Sequence, residues 1–101
     1  MKIAVVGAGR IGLPLATVLA GRGHDVVACD IDEARVAAIN AGRSPFPDEA
    51  GLADALEAVV PSGRLTASSD TTPAVRDCSV ILFAVAVDVG DDGRADLSPL
   101  L

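Results

Sequence analysis

The stretch KIAVVGAGRIGLPLATVLAG, residues 2–21, restricts the fold more than any other part of the chain. Lys2 to Val6 is a short, largely β-branched apolar run and predicts a buried strand. It breaks at Gly7. From Ile11 the period lengthens, and Ile11, Leu15, Val18 and Leu19 predict the buried stripe of a helix. Pro14 falls in the first turn, where a missing N–H does little harm. Gly21 and Gly23 close the helix. Between strand and helix lies GAGRIG, Gly7 to Gly12. A strand, a glycine-rich turn and a helix in that order open a βαβ crossover, which needs a parallel sheet.

The remaining segments continue that alternation. DVVACD, Asp25 to Asp30, predicts the second strand, and Asp32 the N-cap of a helix whose stripe is Val36 and Ile39 and whose end is Gly42. RSPFPDEA reads as a loop. Leu52, Leu56 and Val59 mark a third helix that stops near Pro61-Ser62-Gly63. RLTAS is a weaker strand, residues 70–77 a short helix, and SVILFAV the strongest strand, apolar on both faces. The order β-α-β-α-α-β-α-β implies one α/β domain over residues 1–101. It is a Rossmann-like half domain, with four parallel strands in the order 3-2-1-4 and helices covering both faces. With no further strand beside it, the segment 80–85 would be an apolar edge, so self-association through it is expected.

Composition removes several function classes. Net charge is −6 with no basic run, so neither nucleic acid nor an anionic membrane surface is an expected partner. No apolar run approaches the ~20 residues of a membrane span. MKIAVV is too short an apolar run for a signal peptide, which makes a cytoplasmic location the expectation. Two cysteines without a C-x-x-C and a single histidine provide no metal site. Cys29 and Cys78 belong to strands two spacings apart, ~10 Å, too far for a disulfide. Both read as small buried hydrophobes. His24 lies at the end of the sheet away from the glycine turn. DVGDDGRAD fails as a calcium loop, because its third position is Gly90 and its twelfth Leu100, and reads as a solvated acidic loop. No nucleophile has a base beside it, so no catalytic residue is assigned.

The glycine turn carries the binding chemistry. Gly7 permits the tight turn, Gly9 lets a pyrophosphate approach the backbone, and Gly12 lets helix and strand pack closely. The amides of Arg10 and Ile11 then face the phosphates, assisted by the helix dipole. Asp30 lies 18 positions after Gly12, near the ~20 expected of an acid that accepts hydrogen bonds from an adenosine ribose. Its charge would repel a 2′-phosphate, so NAD is expected over NADP. Arg35, five residues on, reaches the adenosine end or is an ordinary solvated arginine. Val85 and Ala86, at the close of the fourth strand, complete the cofactor-binding set. The alternatives are a non-catalytic dinucleotide-binding or regulatory domain, another Rossmann dehydrogenase, or a degenerate fragment with structural meaning only.

KIAVVGAGRIGLPLA, RGHDVVACDID, INAGRSPF, Gly51-Leu52 and DDGRADLSPL, in this order, resemble the N-terminal NAD-binding domain of the UDP-glucose/GDP-mannose dehydrogenase family. The resemblance implies oxidation of a nucleotide-sugar C6 hydroxyl to a carboxylate with two NAD per sugar, a step toward polysaccharide precursors. It places Ile11, Asp30 and Arg35 at positions that contact NAD. It also implies that the family's catalytic cysteine and lysine and its sugar-binding part lie beyond these residues. The chain would then be the front part of a longer enzyme, inactive alone and meeting the nucleotide sugar only with the missing part. Three positions depart from the family pattern: Ala86-Val87-Asp88 for a Pro-Thr-Pro-like segment, Glu49-Ala50-Gly51 for Glu-Pro-Gly, and Arg10 for an aromatic.

Overall fold

The computed structural model describes residues 1–84, with the backbone of 88–89 and 95–96. Strand β1 (Lys2–Val6) runs between β2 (Asp25–Cys29) and β4 (Val80–Phe83), parallel to both, and β3 (Leu65–Ser68) lies outside β2. The order is β3-β2-β1-β4, as expected of a Rossmann-like half domain. Val6 is level with Cys29 on one side and Phe83 on the other. The carboxyl ends of the three strands therefore form one rim. Gly7 leaves β1 there, its N–H donating to the Cys29 carbonyl at 2.7 Å.

Helices α1 (Gly12–Gly21), α2 (Glu33–Asn40) and α3 (Leu52–Val59) cover one face of the sheet. The main core lies between them: Ile3 and Val5 of β1, Val26 and Ala28 of β2, Leu65 of β3, and Leu13, Ile39 and Leu56 from the three helices. The alternate strand residues Ala4, Val27 and Cys29 point to the other face, under the single turn-and-a-half of α4 (Thr71–Val75). The crossover between β3 and β4 thus changes faces, which puts a topological switch point beside β1, where open α/β sheets bind their ligands. Asp32 caps α2 as expected, accepting from the Arg35 N–H at 3.1 Å, a contact worth ~1 kcal/mol.

The stripe predicted for α1 is rotated by about one position. Gly12, Leu13, Ala16, Thr17 and Ala20 are buried, while Ile11 and Val18 are 78% and 56% exposed and Leu15 also faces out. This helix is apolar on every side, so periodicity alone does not choose its face. Close approach to the sheet does. Gly12, Ala16 and Ala20 form an i, i+4 ladder of small residues, and only that side lets the helix axis sit near β1.

The fourth strand also differs from expectation. Only Val80 and Leu82 pack toward the main core. Ile81 and Phe83, on the other side, are 42% and 67% exposed, because α4 is short and lies over β1 and β2. The two edges of the sheet are unequal. At β3 the Asn40 side chain hydrogen-bonds both the N–H and the C=O of Ala67, at 2.8 and 3.0 Å, and closes that edge. Beyond β4 no strand pairs among the described residues.

Two further expectations are corrected. The acidic stretch holds a short antiparallel ladder, β5 (Asp88–Val89) with β6 (Ala95–Asp96). Cys78 precedes β4 and is half-buried, unlike fully buried Cys29. Both are free, and Cys78 packs at the margin of the smaller cluster that contains Cys29. His24 sits just before β2, at the opposite end of the sheet from the glycine turn.

Candidate functional site

The three glycines of the turn differ in what a side chain would meet. Gly7 has φ +103°, a conformation that favours glycine. A Cβ on Gly12 would lie 1.8 Å from the Gly7 carbonyl oxygen and 3.0 Å from the Ala84 Cβ, so the helix start and both strand ends touch there. A Cβ on Gly9 would meet nothing within 4 Å. The turn is therefore open at Gly9 and closed at Gly12. The first helical amide with a backbone acceptor is that of Leu13, onto the Gly9 carbonyl at 3.0 Å. Among the described residues, the amides of Gly9, Arg10, Ile11 and Gly12 have no protein acceptor. They form the positive end of α1, and the exposed Ile11 side chain stands beside them.

Asp30 follows β2 at the same rim. Its Oδ2 accepts from the Ala8 N–H at 3.0 Å and from Arg35 Nη1 at 3.2 Å, and its Oδ1 from the Asp32 N–H at 2.9 Å. The side chain is 12% exposed. Two amides and one guanidinium hold the carboxylate against the glycine turn, and a carboxylate has about four acceptor sites, so capacity for a hydroxyl remains. Arg35, left open between cofactor and solvent by sequence, is part of this cluster.

One wall of the site was missed by sequence reading. The loop between α2 and α3 brings Phe46, Asp48 and Glu49 to the glycine turn. Arg10 donates to both oxygens of Asp48, at 2.8 and 3.1 Å, and to Glu49 at 3.1 Å. Its hydrogen bond holds the Asp48 carboxyl below the usual carboxylate range. The guanidinium carbon of Arg10 lies 4.8 Å from the centre of the Phe46 ring, and that of Arg35 5.1 Å from the same centre. The only sequence signal for this wall is an acid pair following an aromatic, and nothing in it points to an arginine 38 positions away.

Val85 and Ala86 lie outside the described residues, as does Val87. Cys29, next to Asp30 in sequence, is a buried free thiol. Burial, and then the nearby Cys78, push its thiol up, against a hydrogen bond from Thr71.

The architecture recurs in known proteins. The model of the UDP-glucose/GDP-mannose dehydrogenase family, NAD binding domain, matches residues 1–101. UDP-glucose 6-dehydrogenase TuaD of Bacillus subtilis is 41% identical over 97 residues, which are 96% of this chain and 21% of that protein. GDP-mannose 6-dehydrogenase of Azotobacter vinelandii is 36% identical over 97 residues, 96% of this chain and 22% of the relative. The chain thus spans about a fifth of the length of these two relatives. Among solved structures, GDP-mannose dehydrogenase from Pseudomonas aeruginosa superposes with a TM-score of 0.92 at 33% identity, over 99% of this chain and 23% of that one. UDP-glucose dehydrogenase from Pyrobaculum islandicum gives 0.91 at 33% identity, over 98% and 23%. A match over the full chain makes this chain a member of the UDP-glucose/GDP-mannose dehydrogenase family, and what it forms is that family's NAD-binding domain.

Proposed function

We propose that residues 1–101 are the cofactor-binding portion of a nucleotide-sugar 6-dehydrogenase that oxidises the sugar C6 hydroxyl to a carboxylate, working in the cytoplasm toward polysaccharide precursors. In this reading the sugar-binding and catalytic parts belong to sequence outside these residues, and the 101-residue chain turns nothing over alone. The observation that carries it is the Asp30 carboxylate, anchored on the Ala8 amide across a turn that is open at Gly9 and closed at Gly12. NAD, when bound, supplies the hydride acceptor. The amides of Gly9 to Gly12 would hold its diphosphate and Asp30 the adenosine ribose. Arg35 would stay beside that ribose, with Ile11 and the strand-end residues Val85 and Ala86 along the cofactor. Isothermal titration of the chain with both dinucleotides tests this. Saturable 1:1 binding of NAD, at least about tenfold tighter than NADP, is the expected result, because a carboxylate at the ribose repels a 2′-phosphate. No binding of either dinucleotide overturns the reading.

A second reading, a dinucleotide-binding domain with a regulatory role, is favoured by Val87 where the family pattern has a threonine. NAD binding fits both readings. Oxidation of a nucleotide sugar once the missing parts are supplied fits only the first.

The exposed side of β4 supports self-association. With Phe83 and Ile81 open and no strand beside them among the described residues, the chain should associate in a concentration-dependent way. Light scattering is expected to show dimers or larger species, and Phe83→Lys to return the chain toward a monomer. A wild-type monomer at high concentration contradicts this.

A further inference from the structure

We propose that Phe46 is a positioning residue for the cofactor cradle, holding the guanidinium groups of Arg10 and Arg35 on its ring and so setting one cation at the glycine turn and one at Asp30. This rests on the NAD-binding reading above.

Arg10 and Arg35 come from different elements. Arg10 is in the turn itself and Arg35 in the first turn of α2, and they meet only through the loop between α2 and α3. Their guanidinium carbons stand 4.8 and 5.1 Å from one ring centre, within the range of a cation–π contact. The ring is a fixed support: Phe46 is 8% exposed and belongs to the main core cluster with Leu13, Ile39 and Leu52. The polar ends are paired as well. Arg35 donates to Asp30 at 3.2 Å, and Arg10 to Asp48 and Glu49 at 2.8 and 3.1 Å.

The result is a continuous arc: Asp30, Arg35, Phe46, Arg10, then Asp48 and Glu49. It runs from the ribose-facing carboxylate to the phosphate-facing amides along the wall that the loop between α2 and α3 forms. A long arginine has much rotamer freedom to lose on binding. Stacking on a rigid ring removes part of that freedom beforehand, so less is lost when the dinucleotide arrives. The ring's flat face and its negative quadrupole do this, and an aliphatic side chain of similar volume has neither.

The test has two independent arms on the full chain. In the first, NMR of arginine side chains should find the δ and ε protons of Arg10 and Arg35 upfield of those of Arg22, because they lie over an aromatic face. In the second, calorimetry measures NAD affinity for wild type, Phe46→Leu, Phe46→Tyr and a chain with pentafluorophenylalanine at 46. The fluorinated ring keeps the shape and reverses the quadrupole, so it also serves if Phe46→Leu does not fold. The expected result is loss of the upfield shifts in Phe46→Leu. Affinity should fall about three- to tenfold in Phe46→Leu and in the fluorinated chain, and stay within about twofold of wild type in Phe46→Tyr. Unshifted Arg10 and Arg35 protons in wild type overturn the proposal. So does an unchanged NAD affinity in the fluorinated chain, since a purely structural ring would give that result. A wild-type chain that does not bind NAD overturns the parent reading, and the proposal with it.

Discussion

Gly12→Ala should destabilise the domain by about 3 kcal/mol or more, lowering Tm by more than ~10 °C, and should abolish NAD binding. The added Cβ would sit 1.8 Å from the Gly7 carbonyl oxygen, 3.0 Å from the Gly7 carbonyl carbon and 3.0 Å from the Ala84 Cβ. Two of those atoms are backbone at a strand end, so no flexible side chain can yield. The start of α1 must move out by more than an ångström, and Leu13 and Ala16, both fully buried, move with it. The same shift carries the amides of Arg10 and Ile11 away from the turn. Gly9→Ala is the control. Its Cβ meets no heavy atom within 4 Å, so the fold should keep its Tm within a few degrees. That methyl would nevertheless stand where the diphosphate approaches, so NAD affinity should fall while stability does not. Thermal melts and calorimetry on the pair check this, and a Gly12→Ala chain that melts with wild type contradicts the close packing at the switch point.

That contrast also shows what kind of information the sequence holds. The spacing of Gly7, Gly9, Gly12 and Asp30 encodes backbone geometry within one crossover, and local rules read it directly. Parallel pairing follows from the same crossovers, and the Rossmann-type glycine turn selects the order 3-2-1-4 among the few arrangements they leave. The face of α1 was not legible. Its apolar residues surround the helix, and the choice is made by how closely Gly12, Ala16 and Ala20 let it approach β1. The exposure of Ile81 and Phe83 was hidden for a related reason: a run apolar on both faces looks buried, and only the short α4 leaves one side bare. The Arg10 wall was least legible of all. Its members are 36 to 39 positions apart, and a surface loop of mixed charge carries no period.

Asp30→Asn should weaken NAD binding by about ten- to a hundredfold while narrowing its preference over NADP. A ribose hydroxyl donating to a charged acceptor contributes about 1.5–3 kcal/mol, and the amide replaces that acceptor with a neutral one. The substitution keeps shape but reverses one hydrogen-bonding group. In wild type both carboxylate oxygens accept, Oδ2 from Ala8 and Arg35 and Oδ1 from Asp32. An asparagine has one acceptor oxygen, so whichever way it turns, its NH2 faces an N–H donor from Ala8 or Asp32. A stability loss of about 1–3 kcal/mol should accompany the loss of affinity. The narrowed preference has a separate cause. Removing the carboxylate removes the repulsion of a 2′-phosphate and frees Arg35, whose guanidinium is then available to that phosphate. NADP binding should therefore lose less than NAD binding, or gain, and what it keeps should weaken steeply with added salt. Titrations with both dinucleotides at low and physiological ionic strength measure all of this, and an Asp30→Asn chain that binds NAD as wild type does would remove Asp30 from the ribose site.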